Sequence, residues 1–295
     1  VGLPILTADG TISAAALIQD RKVLRYIGKK YITARREMGF LVPSKGYEYA
    51  TIKGHKCAII VGDDLSRERD FDQSVETVIS INARKYGKGT MTYRYEMMRN
   101  LAFVESKNLV LVNQVGGSTD IVYDGTSGAL NSRGELVLMM KNFEEDFQIF
   151  DTKASARPIT IPSTYNDRTR LVYEAARCGL RDFFRKNGYR KASIGLSGGI
   201  DSAVVASIAA DALGAENVRA LLMPSPFSSL ESVEDAKELA RNLGIEYNVI
   251  PISEIYTSVV NTLKPVIGGT EFDATEENIQ TRIRTVLLLS LIHIS

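Results

Sequence analysis

Cysteine and histidine are scarce in this chain of 295 residues, with two of each. Cys57 and Cys178, even taken with His55 and His293, make neither a disulfide framework nor a zinc site. Charge of one sign is missing too. A net charge of +1 gives no electrostatic reason to expect nucleic acid or an anionic membrane surface as a partner. Long apolar runs are also lacking: the longest, residues 286–294, is far too short to cross a bilayer. There is no internal repeat, no low-complexity tract and no signal peptide. With 44% hydrophobic and 24% charged residues, the chain can still bury a large core, which suits two domains. The class these absences leave is a cytoplasmic, metal-poor protein.

What is present centres on Ile194-Gly-Leu-Ser-Gly-Gly-Ile-Asp-Ser202. Residues 191–196 read as a short buried strand and residues 202–213 as an apolar, Ala-rich helix. Adjacent glycines at such a turn let consecutive N–H groups converge on one point, and the helix N-terminus adds partial positive charge. The turn is suited to hold a phosphate. No Lys follows the glycines, so it is not the phosphate loop of kinases and GTPases. Asp201 instead offers a carboxylate where a phosphate-bound Mg²⁺ needs an oxygen ligand. The plainer alternative is a Gly-Gly turn with Asp201 and Ser202 as helix caps.

Ahead of this turn the pattern predicts strands at residues 14–18, 22–26, 56–61, 109–115, around Ala129, and at 136–140. Helices are expected at 74–86 and 92–106, the second with Met97, Met98, Leu101 and Val104 on one side. The basic stretch 28–36 reads as a solvated loop. Residues 1–151 are thus expected to form a layered α/β domain. A polar linker with Pro158 and Pro162 follows at 152–168. Beyond it come a helix at 169–187 closed by Gly188, strands at 218–223 and 247–252, and a helix starting at Ser232 and stopped by Gly244. The strand–helix alternation predicts a doubly wound parallel sheet with ligands at the carboxyl ends of its strands.

The S-G-G-x-D-S run resembles the pyrophosphate loop of the ATP pyrophosphatase family. Met223-Pro-Ser-Pro-Phe-Ser-Ser229 and Thr275-Glu-Glu-Asn-Ile-Gln-Thr-Arg-Ile-Arg284 are similar to two segments of NAD synthetases, with Thr281 where Ala is usual. Val112-Asn-Gln-Val-Gly-Gly117 and Asp124-Gly-Thr-Ser127 resemble the nitrilase-like glutaminase domain of the glutamine-dependent NAD synthetases. The resemblance implies a nitrilase-like layered α/β domain followed by a Rossmann-like ATP pyrophosphatase-type domain at 169–289. It implies amidation of deamido-NAD through an adenylate, with release of pyrophosphate and AMP. Ser197, Gly198, Gly199 and Ser202 would then hold the pyrophosphate, Asp201 would take Mg²⁺, and Ser225 would meet the adenosine. Asn278, Arg282 and Arg284 would reach phosphates or the deamido-NAD carboxylate, although spacing i, i+2 keeps the two arginines from pointing the same way. The family's synthetase domains pair, so a homo-oligomer is expected.

The chain departs from the family at the glutaminase nucleophile. The family has L-I-C-E-D-L there, against Ile60-Val-Gly-Asp-Asp-Leu65, so Gly62 stands in place of the Cys. Lys29 falls at the family's Lys position, and the triad Glu is expected before Val1. Cys57, five positions earlier in the same strand, is expected on the opposite face from residue 62 and reads as core. The expectation is a catalytically dead amidase half, with ammonia as nitrogen donor. The alternatives are an amidohydrolase with a relocated nucleophile and a noncatalytic protein. The chain also reads as a fragment: the family's later Mg²⁺ and ATP segment is not recognisable, and residues 290–295 look non-native. NAD formation by these 295 residues alone is therefore not expected.

Overall fold

The computed structural model describes residues 2–32, 37–44, 49–67, 71–152, 157–165, 167–267 and 274–291. The chain divides into two compact units, residues 1–175 and 176–295. The division falls inside a helix, C-terminal to the Pro-containing stretch expected as linker. Among the described residues, no helix is long and apolar enough to cross a membrane.

The first unit opens with β1 (Gly2–Thr7), β2 (Gly10–Gln19) and β3 (Lys22–Gly28), an antiparallel meander. β4 (Tyr49–Ile52), β5 (His55–Val61), β6 (Thr77–Asn82) and β7 (Asn108–Asn113) follow, with helix α1 (Thr90–Glu105) between β6 and β7. β8 (Val115–Ser118) and β9 (Ile121–Asp124) form a hairpin, and β10 (Gly128–Leu130) and β11 (Leu136–Met139) complete a second sheet. Its order is β11-β10-β7-β6-β5-β4, with β5, β6 and β7 parallel.

The alternation of β5 shows how the layers form. Ala58 and Ile60 join a core with Met91, Tyr95, Met98 and Leu101 of α1. Ile59 and Val61 pack the other way, against Ala15 and Ile27 of the meander. The helix expected at 74–86 is not there: that stretch contains β6. Its run Thr77-Val78-Ile79-Ser80-Ile81, β-branched except at Ser80, pairs on both sides, and those partners override the helical reading. The buried stripe of α1 also differs from expectation. It is Met91, Arg94, Tyr95, Met98, Leu101 and Ala102, whereas Val104 is exposed.

Helix α2 (Arg168–Asn187) ends as expected, with Gly188 at φ +73°. In the second unit β12 (Ala192–Gly195), β13 (Val218–Leu222) and β14 (Glu246–Val249) form a parallel sheet with β13 in the middle. Helices α3 (Ile200–Leu213) and α4 (Leu230–Leu243) cover one face, where Ala206, Ala209, Ala236 and Ala240 meet Ala220 and Leu222. Helices α5 (Ser253–Ile267) and α6 (Ala274–Leu291) cover the other, where Tyr256, Ile279 and Ile283 meet Leu221 and Met223. Helices on both faces make this the doubly wound arrangement expected. α4 begins earlier than expected: Ser229 is its cap, accepting from the Ser232 N–H at 3.1 Å.

The turn between β12 and α3 is pressed against the first turn of α4. Gly198 has φ +85°, and a Cβ there would lie 2.2 Å from the Ser232 carbonyl oxygen. Gly199 has an ordinary extended conformation, φ −84° and ψ 157°, and a Cβ there would meet only the Ser197 hydroxyl, at 3.4 Å. The two glycines therefore differ in what they tolerate. Gly198→Ala is expected to destabilise the protein by about 2 kcal/mol or more, from left-handed strain and the backbone collision together. Gly199→Ala is expected to cost less than half of that. Thermal unfolding of both variants checks the order, and equal losses would contradict it.

Candidate active sites

In the second unit the expected phosphate loop caps α3 without capping it by a side chain. Gly199 is the N-cap and offers no side-chain acceptor, so first-turn N–H groups of an apolar helix face outward. The serines tie the loop together. Ser202 Oγ accepts from the Ser197 N–H at 3.2 Å and donates to the Gly199 carbonyl at 2.9 Å, while Ser197 Oγ accepts from the Gly199 N–H at 3.2 Å. Asp201 lies exposed in the first turn of α3. A cavity of about 330 Å³ opens beside the loop, at the carboxyl ends of β12 and β13. Ser197, Met223, Ser228, Ser232, Thr281, Arg284 and Thr285 are among its lining residues.

Of the remaining expected residues, Arg284 reaches this cavity. Its Nε donates to the Met223 carbonyl at 3.1 Å, and partial burial pushes its pKa down. Arg282 and Asn278 lie on a different face of α6. Arg282 Nη1 donates to Asn278 Oδ1 at 3.2 Å, and Arg282 borders an apolar groove with Ile255, Val259 and Val286. Ser225 is buried and holds its own loop, its N–H donating to Ser228 Oγ at 3.0 Å and its Oγ accepting from the Phe227 N–H at 3.2 Å. Ser228, Ser232, Thr281 and Thr285 have no site role in the sequence reading, although Ser228 and Thr281 lie in the two segments likened to NAD synthetases; the crossing of α4 and α6 over the strand ends brings them in.

In the first unit Lys29 is not part of a solvated loop. It is 3% exposed, and its Nζ donates to Glu37 Oε2 at 2.7 Å. The loop reading fails because the chain around it is held from both sides: Asp64, itself buried, accepts from the N–H groups of Lys30 and Tyr31 at 2.6 and 2.9 Å. Residues 33–36, the rest of the basic stretch, lie outside the described residues. Gly62 has φ +64°, and a Cβ there would stand 3.6 Å from Lys29 Nζ, in ordinary contact. Lys29, Glu37, Gly62, Asn82, Arg84 and Asn113 all line a cavity of about 740 Å³.

Cys57 is 4% exposed and is not among the residues lining that cavity. The opposite-face expectation needs correction. β5 ends at Val61, Gly62 turns out of the strand, and by alternation Cys57 shares its face with Val61, which does line the cavity. What separates Cys57 is distance, about 13 Å along the strand from Val61. Burial pushes its thiol pKa up, and the Glu76 carboxylate adds to the effect. Burial also raises that of Cys178.

A buried ion pair shapes this cavity from behind. Arg94 Nη2 donates to both oxygens of Asp124, at 2.9 and 2.8 Å, and Nη1 to the Gly125 carbonyl at 3.1 Å. Asn113 Nδ2 donates to Asp124 Oδ1 at 3.1 Å and to Gly125 O at 2.9 Å, while its Oδ1 accepts from the Arg84 N–H at 2.9 Å. Arg94 was not singled out from the sequence, yet it interrupts the apolar spacing Met91, Tyr95, Met98. A charge on a buried stripe is a readable signal.

Residues 172–293 match the NAD synthase family model. The chain is 33% identical to the glutamine-dependent NAD(+) synthetase of Acinetobacter baylyi over 288 residues, covering 95% of this chain and 53% of that protein. It is 36% identical over 301 residues to the protein so named from a Synechocystis species, covering 95% and 54%. The solved glutamine-dependent NAD+ synthetase of Acinetobacter baumannii, in complex with ADP, superposes with a TM-score of 0.86 at 33% identity, over 98% of this chain and 57% of that one. That of Cytophaga hutchinsonii, 18% identical, shares the fold with a TM-score of 0.82, over 100% of this chain and 59% of that one. The chain therefore spans little more than half the length of these relatives. At this identity over nearly all of its length, the chain belongs to the glutamine-dependent NAD synthetase family.

Proposed function

We propose that this chain carries the ATP-binding elements of an enzyme that amidates deamido-NAD, with ammonia as the nitrogen donor. The nicotinate carboxylate attacks the α-phosphate of ATP, pyrophosphate leaves, and ammonia then displaces AMP to form the amide. Such chemistry needs positioning and charge neutralisation rather than a protein nucleophile. What carries the reading is the loop of Ser197, Gly198, Gly199 and Ser202 at an uncapped helix start, opening on a cavity at the strand ends. The Acinetobacter baumannii relative is in complex with ADP, which supports an adenine nucleotide as a ligand of this chain.

Ser197 and Ser202 hold the pyrophosphate on this reading, and Ser228 and Ser232 lie within the same cavity. Asp201 is the carboxylate nearest the loop in sequence, and no group of three His, Cys, Asp or Glu side chains forms a metal site among the described residues. That donor set fits Mg²⁺ held chiefly by nucleotide phosphates and water. Arg284 faces the nucleotide while fixing the Met223 carbonyl. Arg282 and Asn278 take deamido-NAD from the outer face of α6. Residues 169–289 serve as the synthetase domain and 1–151 as the nitrilase-like domain. The exposed side chains of Ile200, Val204 and Val205 on α3 support association of the synthetase domain with a second copy. The cytoplasm, which keeps both free cysteines as thiols, is the compartment of this reading.

The nitrogen donor turns on position 62. A glycine has no nucleophile to offer, although Lys29 and a carboxylate, Glu37, remain beside it. Parallel assays of NAD formation from deamido-NAD and Mg-ATP check this on the chain continued to the length of its relatives, the 295 residues alone being expected to form no NAD. Ammonium is expected to support the reaction at least tenfold better than glutamine. Equal rates would defeat the proposal. Gly62→Cys is expected to raise glutamine hydrolysis at least tenfold above background, because its side chain starts within 4 Å of Lys29 Nζ. No gain would mean that the pocket lacks more than its thiol. A relocated nucleophile would have to be Cys57, and its burial and raised pKa predict the opposite. At neutral pH a thiol reagent is expected to leave Cys57 unlabelled in the native protein and to label it on unfolding.

A further inference from the structure

Another cavity of the first unit, of about 410 Å³, shares no lining residue with the one beside Gly62. Its floor is apolar: Met91 and Tyr95 of α1 and Leu130 of β10, all three buried. Pro158 and Ile159 line it too, on a segment fastened where the Ile159 N–H donates to the Leu136 carbonyl at 2.8 Å. At Gly134 the turn after β10 presses on α1: φ is +73°, and a Cβ there would meet the Arg99 carbonyl oxygen at 2.8 Å. Fixed backbone thus bounds the cavity on two sides.

The charged groups of the lining differ in what they already hold. Glu135 Oε2 accepts from Asn131 Nδ2 at 2.7 Å and from Arg133 Nε at 3.0 Å. Glu96 and Arg99, the other two ionised side chains of the lining, make no hydrogen bond or ion pair among the described residues. They lie about one turn apart on the same face of α1, an exposed carboxylate and an exposed guanidinium beside an apolar floor.

We propose that this cavity binds an apolar amino acid, an aromatic one best, with its side chain on the floor and its zwitterionic head on Arg99 and Glu96. The Arg99 fork matches an α-carboxylate, and Glu96 accepts from an α-ammonium. The Met91 thioether and the Tyr95 ring make favourable contacts with an aromatic ring. Apolar burial supplies most of the affinity, because head-group pairs at a solvated rim are each weak. Their contribution is selectivity: an acid alone leaves Glu96 unmatched, and an amine alone leaves Arg99 so. The volume lies within the usual range for small-molecule sites.

L-Phenylalanine, 3-phenylpropanoate and 2-phenylethylamine share the ring and differ in the head, so the three isolate the chemistry in question. Isothermal titration of each at neutral pH, into the chain continued to the length of its relatives, is expected to show L-phenylalanine binding with a Kd of about 1 mM or tighter. The acid and the amine are each expected to bind at least threefold more weakly. Arg99→Gln and Glu96→Gln are each expected to weaken L-phenylalanine at least threefold; both side chains are exposed, and circular dichroism checks that the fold is kept. Excess L-glutamine is expected to leave the titration unchanged, which separates this cavity from the one beside Gly62. No binding of L-phenylalanine up to about 10 mM, equal binding of the three probes, competition by L-glutamine, or binding that either substitution leaves intact would overturn the proposal.

Discussion

The approach of Gly198 to the Ser232 carbonyl is the constraint around which the second unit is arranged. A backbone with no side chain at that point lets the loop after β12 lie directly on the first turn of α4. Two helix starts, at Ile200 and Leu230, are thereby brought to one side of the sheet. Ser229 satisfies α4 from within, whereas α3 has no such cap, so the unmet N–H groups are those beside the loop. From the other face, Arg284 ties α6 to the end of β13 through the Met223 carbonyl. The cavity is bounded by elements that each bury apolar side chains against the same central strand, and its geometry follows from that packing.

The first unit is organised by buried charge. Arg94 and Asp124 are both nearly inaccessible, and each would be costly alone. Their pairing fixes the turn after β9, and Asn113 transmits that position to the backbone of Arg84 at the cavity edge. The segment beyond β11 is fastened too, since the Ile159 N–H donates to the Leu136 carbonyl and the Tyr165 hydroxyl to that of Met140. Of the cavity walls, the one at Asn113 is held by buried bonds from behind.

Much of this was legible in the chain. The Gly-Gly turn, the strands at 14–18 and 22–26, the parallel sheet and the C-cap glycines follow from local rules that tertiary contacts did not disturb. Residues 74–86 were misread because a β-branched run flanked by polar residues takes its identity from the strands beside it. Lys29 looked like loop because its neighbours are basic; its burial comes from Asp64, more than thirty positions away, which no local pattern encodes. The separation of Arg282 from Arg284 was visible in their spacing, but which of them faces the cavity depends on how α6 lies over β13. Ser225 is expected from its motif to meet the adenosine, and the structure adds that it braces its own loop, which only the loop's hydrogen bonds reveal.

The left-handed backbone at Gly62 has a mutational consequence. Any L-residue at φ +64° carries strain of about 1–2 kcal/mol that glycine escapes. A functional side chain at this position must therefore be maintained by selection against a standing stability penalty. Once that selection lapses, exchange to glycine is favoured by folding alone, and the return step is opposed by the same amount. The pocket wall at Asn113 is under no such pressure, since it is braced from behind. Loss of a side chain at such a position would work as a ratchet: it would leave the cavity, the lysine and its carboxylate standing, and reversion would be opposed by the strain that glycine relieves.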